Sequence, residues 1–163
     1  MNRPVVYLET SFVSCLTGWW SPLEHVRARQ AASRAWWEQE RAKWHCVVSQ
    51  TVFDEAQDGD AGAAERRLAL LREMELVSTT AEAVALAETL VRAHALPEKA
   101  RADAMHVALA TVHGADMLLT WNCRHIANGV MLPKIYSTLE RTGYRPPAIV
   151  TPTQLLDAGG NEP

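Results

Sequence analysis

Val5-Val-Tyr-Leu8 is apolar at every position and ends abruptly at Glu9-Thr10-Ser11. A strand with one wet face alternates apolar and polar residues. An unbroken apolar run rich in β-branched and aromatic side chains is instead a strand covered on both faces. The pattern makes Pro4 to Glu9 a buried strand, and it returns at His45 to Val48 and Asp116 to Trp121. Shorter strands are predicted at Glu75 to Ser78 and Ala148 to Val150. Helical segments fill the intervals. Phe12 to Thr17 is one. Ser21-Pro22 opens a long second helix reaching about Lys43, with Ser21 as cap and Pro22 in the first helical position. Ser49 caps a short helix carrying Val52 and Glu55, and Asp58-Gly59-Asp60 breaks it. Ala61 to Met74, Ala81 to Ala93 (capped by Thr80), Lys99 to Val112 (stopped by Gly114) and Val130 to Thr142 complete the set. Strands alternating with helices specify an α/β fold, a three-layer α/β/α sandwich around a mainly parallel central sheet of four or five short strands. Residues 1–156 read as one domain, followed by a flexible tail over 157–163 that includes Ala158-Gly-Gly-Asn-Glu-Pro163.

Composition narrows the function. A formal net charge of -3 argues against gripping nucleic acid by bulk positive charge. It leaves room for cutting nucleic acid, because a metal site gathers carboxylates and basic contacts can be local. Cys15, Cys46 and Cys123 are odd in number and without CxxC spacing, which predicts reduced thiols in a cytosol. The apolar run near the start is too short for a signal peptide or a membrane span, so the expectation is a cytoplasmic protein with no membrane association. No GxGxxG or GxxxxGK[ST] occurs, the only DxD (Asp58-Gly59-Asp60) lies between helices, and no strand ends in Lys. Nucleotide-binding, receiver and phosphatase-like readings therefore lack their motifs.

In an open parallel sheet, ligands bind beyond the carboxyl ends of the strands. Glu9 ends the first strand, Glu55 lies on the helix leaving the second, and Asn122 follows the fourth. Asp103, His106, Val107 and Ala110 share one helix face, which draws Asp103 toward the sheet. An inward carboxylate needs a partner, so Asp103 is either a structural hydrogen-bonder or a ligand. His106 reads as a satisfied core histidine. Asp116 opens its strand at the opposite edge and falls outside the site.

These residues also carry a family resemblance over about Val5 to Leu156. Val6-Tyr-Leu-Glu-Thr-Ser11, Val47-Val-Ser-x-x-Val-x-x-Glu55 and the stretch from Asp103 to Asn122 resemble, in order and interval, the acidic motifs of PIN-domain nucleases, and among them the VapC-type toxins of toxin–antitoxin pairs. Two positions depart from the pattern. Glu9 stands where the family commonly has Asp, and Asn122 where it commonly has a fourth acid. The resemblance implies a metal-dependent endoribonuclease using Mg²⁺ (or Mn²⁺), cutting RNA to a 3′-hydroxyl and a 5′-phosphate with a metal-activated water. Glu9, Glu55 and Asp103 become the expected metal ligands, with orienting the attacking water as the alternative for Glu55, and Asn122, binding directly or through a water, completes the catalytic set. Thr10, Ser11 and Thr120 are expected to orient those carboxylates. Arg124, His125 and Arg101 are candidate substrate contacts, and ordinary surface charge is the competing reading for each of them. Trp19, Trp20 and Trp121 are candidates for base stacking, while Trp36 and Trp37 fit core packing or a partner interface. The resemblance further implies a small antitoxin partner and a homodimer. The competing reading is a weak or inactive PIN-fold module that binds RNA or protein, because Asn122 removes one charge.

Overall fold

The computed structural model describes residues 2–159, with side chains through residue 156. Five parallel strands form the sheet in the order β3-β2-β1-β4-β5: β1 (Val5–Leu8), β2 (His45–Ser49), β3 (Glu75–Val77), β4 (Met117–Leu119) and β5 (Ala148–Val150). The register pairs Tyr7 with Val47 on one side and with Leu118 on the other. β1, β2 and β3 step outward in one direction, and the chain then returns to lay β4 and β5 on the other side. The order reverses between β1 and β4. Such a reversal leaves a crevice at the carboxyl ends of the two strands.

The helices are α1 (Thr10–Thr17), α2 (Glu24–Glu40), α3 (Gln50–Ala56), α4 (Ala61–Leu71), α5 (Ala81–Arg92), α6 (Arg101–Val112), α7 (Leu132–Arg141) and α8 (Pro152–Gly159). Side chains of Ser49, Asp60 and Thr80 accept backbone N–H bonds at the starts of α3, α4 and α5. Each such cap is worth about 1 kcal/mol. Gly114 follows α6 with φ +70°, a left-handed conformation that favours glycine.

Helix α2 departs from expectation. It begins at Glu24, with Leu23 in the capping position and no side-chain cap. Ser21 does not cap it, because its Oγ accepts the N–H of Leu23 and its own N–H donates to Gln30 Oε1. A short 3-10 turn, Arg41–Lys43, replaces the last expected turn. Helix α8 was not expected: Thr151 Oγ1 accepts the Gln154 N–H at its start, and the backbone stays helical to Gly159. The remainder of the expected tail, 160–163, lies outside the described residues.

Tyr7, Leu8, Phe12, Trp36, Leu118 and Leu119 are among the largest fully buried side chains. Burial of an apolar side chain of this size stabilises by about 1.5–3 kcal/mol. Phe12 meets Trp36 edge-on at 5.6 Å, and Trp36 takes the core place expected of it. Ala104 and His106 through Thr111 of α6 are buried. Alanines along this helix permit close approach, and that brings Asp103 and His106 up to the end of the sheet.

Candidate active site

Glu9 leaves β1 and caps α1. Its Oε2 accepts the Ser11 N–H at 2.9 Å, while Oε1 accepts the hydroxyls of Ser11 and of Thr120, the latter at 2.5 Å. Ser11 Oγ also receives the Trp121 N–H, and Thr120 Oγ1 receives the Asn122 N–H. Glu9 is 4% exposed, and the groups holding it are neutral. The end of β1, the start of α1 and the end of β4 therefore close on one carboxyl group. A negative charge at a helix N-terminus is also favoured by the helix dipole.

Glu55 reaches the same place from α3. Thr10 Oγ1 donates to its Oε1 at 2.6 Å, and His106 Nε2 lies 2.5 Å from that same oxygen. Both contacts fall on Oε1, which leaves Oε2 clear of them. Behind Glu55 runs a buried chain: His106 Nδ1 lies 2.8 Å from the Tyr7 hydroxyl, which lies 2.7 Å from the Ser49 hydroxyl. Burial alone would push the His106 pKa down, but the Glu55 contact and the charges of Glu9, Glu55 and Asp103 outweigh it and raise it. Burial likewise works to raise the Glu55 pKa, and the His106 and Thr10 contacts overcome it, so the carboxyl is held below its ordinary value. Desolvation pushes the Tyr7 hydroxyl well above its usual pKa, which keeps it neutral.

Asp103 projects from the first turn of α6. The Asn122 amide donates to its Oδ1 at 3.0 Å, and His125 Nδ1 sits 2.9 Å from Oδ2. Asn122 Oδ1 in turn accepts the His125 N–H. The segment after β4 thus folds back and grips Asp103 from two directions.

One oxygen each from Glu9 and Glu55 and a ring nitrogen of His106 lie within 4.8 Å of one another. Asp103 is not part of that triangle, although its charge reaches His106. His106, read from sequence as a satisfied core histidine, is fully buried with both ring nitrogens bonded, and it also borders the acidic group. Its position one turn beyond Asp103 was the signal available in the sequence. None of Glu9, Glu55 and Asp103 is ion-paired to Lys or Arg among the described residues. A partly buried, oxygen-rich donor set with no Lys or Arg ion-paired to it fits a hard divalent cation.

Other expected residues fall elsewhere. Arg124 is exposed. Arg101 is tied to Glu88 and Glu98 on the surface and offers no free charge to a substrate. Trp121 cannot stack on a base as expected: it is 7% exposed and its Nε1 donates to Ser33 Oγ at 2.7 Å. Asp116 stands at the far edge, accepting the Val5 N–H and an Arg145 bond.

No protein-family model matches the sequence, and no curated protein does. Solved structures do resemble it in backbone. VapC20 of Mycobacterium tuberculosis, described as a sarcin-ricin loop cleaving toxin, aligns with TM-score 0.56 and 19% identity over 76% of this chain and 95% of its own. A chain of VapBC2 from Rickettsia felis, solved bound to a DNA fragment from its promoter, aligns with TM-score 0.59 and 13% identity over 90% of this chain and 98% of its own. The chain therefore has the three-layer fold of the VapC-type PIN domains that its motifs resemble.

Proposed function

We propose that this protein is a divalent-metal-dependent endoribonuclease and the toxin of a toxin–antitoxin pair. The observation that carries the reading is the meeting of Glu9, Glu55 and His106 at the crevice between β1 and β4, with Asp103 one turn from His106 on α6 and no Lys or Arg ion-paired to these acids among the described residues. The fold shared with a toxin described as cleaving the sarcin-ricin loop supports it.

Glu9, Glu55 and Asp103 would hold Mg²⁺ (or Mn²⁺). Such an ion supplies an acidified water and a counter-charge for the phosphate. The chain's own work is orientation. Ser11 and Thr120 fix the Glu9 carboxylate, and Thr10 and His106 fix Glu55. The Oε2 atom of Glu55, free of those contacts, would either bind the ion or orient the attacking water. Asn122 and His125 hold Asp103, so Asn122 contributes through that carboxylate. Arg124, exposed beside this segment, meets the substrate's phosphates.

The partners that accompany this reading are a small antitoxin protein and a second copy of the chain. The compartment is the cytoplasm, consistent with cysteines that are all free. No helix among the described residues is long and apolar enough to cross a membrane.

Purified protein should cut RNA with Mg²⁺ or Mn²⁺ and stop with EDTA or on Asp103→Asn. Absence of cleavage in protein free of bound inhibitor would sink the nuclease reading. One observation favours a second reading, a weak or inactive binding module: both ends of the Asn122 amide are engaged, by Asp103 and by the His125 N–H. Calorimetric titration with Mn²⁺ separates the two, because a dead site shows no binding that Asp103→Asn abolishes.

A further inference from the structure

Two tryptophans on the loop after α1 are turned to solvent, Trp19 at 78% and Trp20 at 54% exposure. The loop that displays them is built and not loose. Arg34 donates to the Gly18 carbonyl at 2.5 Å, Gln30 Nε2 to the Trp19 carbonyl at 2.8 Å, and Arg66 Nε to the Thr17 carbonyl at 3.2 Å. The nearly buried Gln30 also accepts the Ser21 N–H. A Cβ on Gly18 would meet the Ser14 carbonyl oxygen at 2.9 Å, so only glycine allows this turn. Leaving large apolar rings in water forgoes the stabilisation of burying them, yet here a set of hydrogen bonds holds them out.

The charge around them is mainly positive. The Arg34 guanidinium lies 3.7 Å from the Trp20 ring centre and that of Arg66 4.4 Å from Trp19. Arg27 borders a shallow groove with Trp20, Glu24, Ala28 and Ala31. Arg29 lies over Trp121, the residue next to Asn122. None of these four arginines is ion-paired to a carboxylate among the described residues. In a chain of net charge -3, four arginines against Glu24 in the groove leave a local excess of positive charge. Flat aromatic faces interleaved with guanidinium planes suit a ligand offering both stacking bases and phosphates.

Continuity with the acidic crevice selects the same conclusion. Helix α1 begins at the cap formed by Glu9 and ends at Gly18, about 12 Å along its axis. Successive residues of α2 serve both places: Arg29 and Ser33 hold Trp121, while Gln30 and Arg34 hold the loop.

We propose that Trp19, Trp20 and the guanidinium groups of Arg27, Arg29, Arg34 and Arg66 form a stacking platform for single-stranded RNA flanking the scissile bond. The proposal deepens the nuclease reading and rests on RNA being the ligand, but it is tested by binding alone. The full-length protein in EDTA is titrated with an unstructured, uridine-rich RNA 12-mer, read by tryptophan emission and by anisotropy of a label on the RNA. Wild type should show quenching, and the Trp19→Ala/Trp20→Ala double variant should bind about tenfold or more weakly. On cleavable RNA the same variant should raise KM and leave kcat unchanged, since neither ring touches the reacting atoms. Equal affinity in wild type and variant, or no RNA binding by wild type, overturns the platform. A variant that changes the sedimentation mass while keeping RNA affinity also overturns it, and assigns the patch to a second copy of this chain. Wild type that binds RNA through the two tryptophans yet never cuts it leaves the platform standing and removes the nuclease reading.

Discussion

The two edges of the sheet treat their acids differently. At the amino edge, Asp116 accepts the Val5 N–H and pairs with Arg145, and Glu75 pairs with His45. A surface depression of about 640 Å³, bordered by Arg3, His45 and Glu75, opens at this edge. At the carboxyl edge, Glu9, Glu55 and Asp103 are held by hydroxyls, an amide, backbone N–H and two histidines. Arg145 balances Asp116 at the first edge, where the acids join strands to loops. At the second edge the acids have no Lys or Arg partner among the described residues, only His106 beside Glu55 and His125 beside Asp103, and three carboxyl groups near one crevice favour an arriving cation.

The strongest way to break the contrast is Asp103→Asn. The amide keeps an acceptor for Asn122 and a partner for His125, and removes one charge from the cluster. Cleavage should fall by roughly 100-fold or more, while the melting temperature stays within about 2 °C of wild type or rises. A variant that lost activity by unfolding would put Asp103 with the structural acids. The second test is metal itself. At Mg²⁺ or Mn²⁺ about 100 times its dissociation constant, wild type should gain about 2.7 kcal/mol, seen as a rise in melting temperature that Asp103→Asn does not show. Equal gains in both proteins would mean the ion binds elsewhere.

Tyr7→Phe probes the chain beneath the site. It strips the shared partner from His106 Nδ1 and Ser49 Oγ, and an unsatisfied buried group costs about 1–3 kcal/mol, measurable by urea denaturation. A loss below about 0.5 kcal/mol would show that the chain from Ser49 to Glu55 does little to hold the crevice. The smallest effect belongs to the far edge. The Val5 N–H, with help from Arg145, depresses the Asp116 pKa against its partial desolvation. A depressed carboxyl contributes stability above its unfolded value, near 3.8, and that contribution is lost as pH falls through the lower folded value. Asp116→Asn should thus cost about 1 kcal/mol at neutral pH, after discounting for solvent screening, and the difference should vanish in acid. A pH-independent difference would trace the loss to packing.

Much of the architecture was legible because uninterrupted apolar runs allow few alternatives. The strand-end rule placed Glu9 and Asn122 beside the crevice without any contact information. Failures occurred where a distant side chain decides a local outcome. Ser21 has the form of a helix cap, but Gln30 takes its N–H and Leu23 its hydroxyl. Trp121 follows an active strand end, yet Ser33, 88 positions earlier, draws its indole inward. His106 looked like plain core because nothing local shows that Glu55, 51 residues away, meets its ring. Helix α8 had a readable start in Thr151-Pro152, which the glycines just beyond it obscured.

Glu9 serves two masters, and this bears on how its presence should be interpreted. Besides facing the crevice, its carboxylate caps α1 and ties β1 to Ser11 and Thr120. Folding alone therefore suffices to keep Glu9 in place, whether or not the proposed cleavage takes place. Its presence is then no diagnostic of activity. Asp103, whose hydrogen-bond partners lie in the segment after β4, is the carboxyl group that would report on the proposed chemistry and not on the fold.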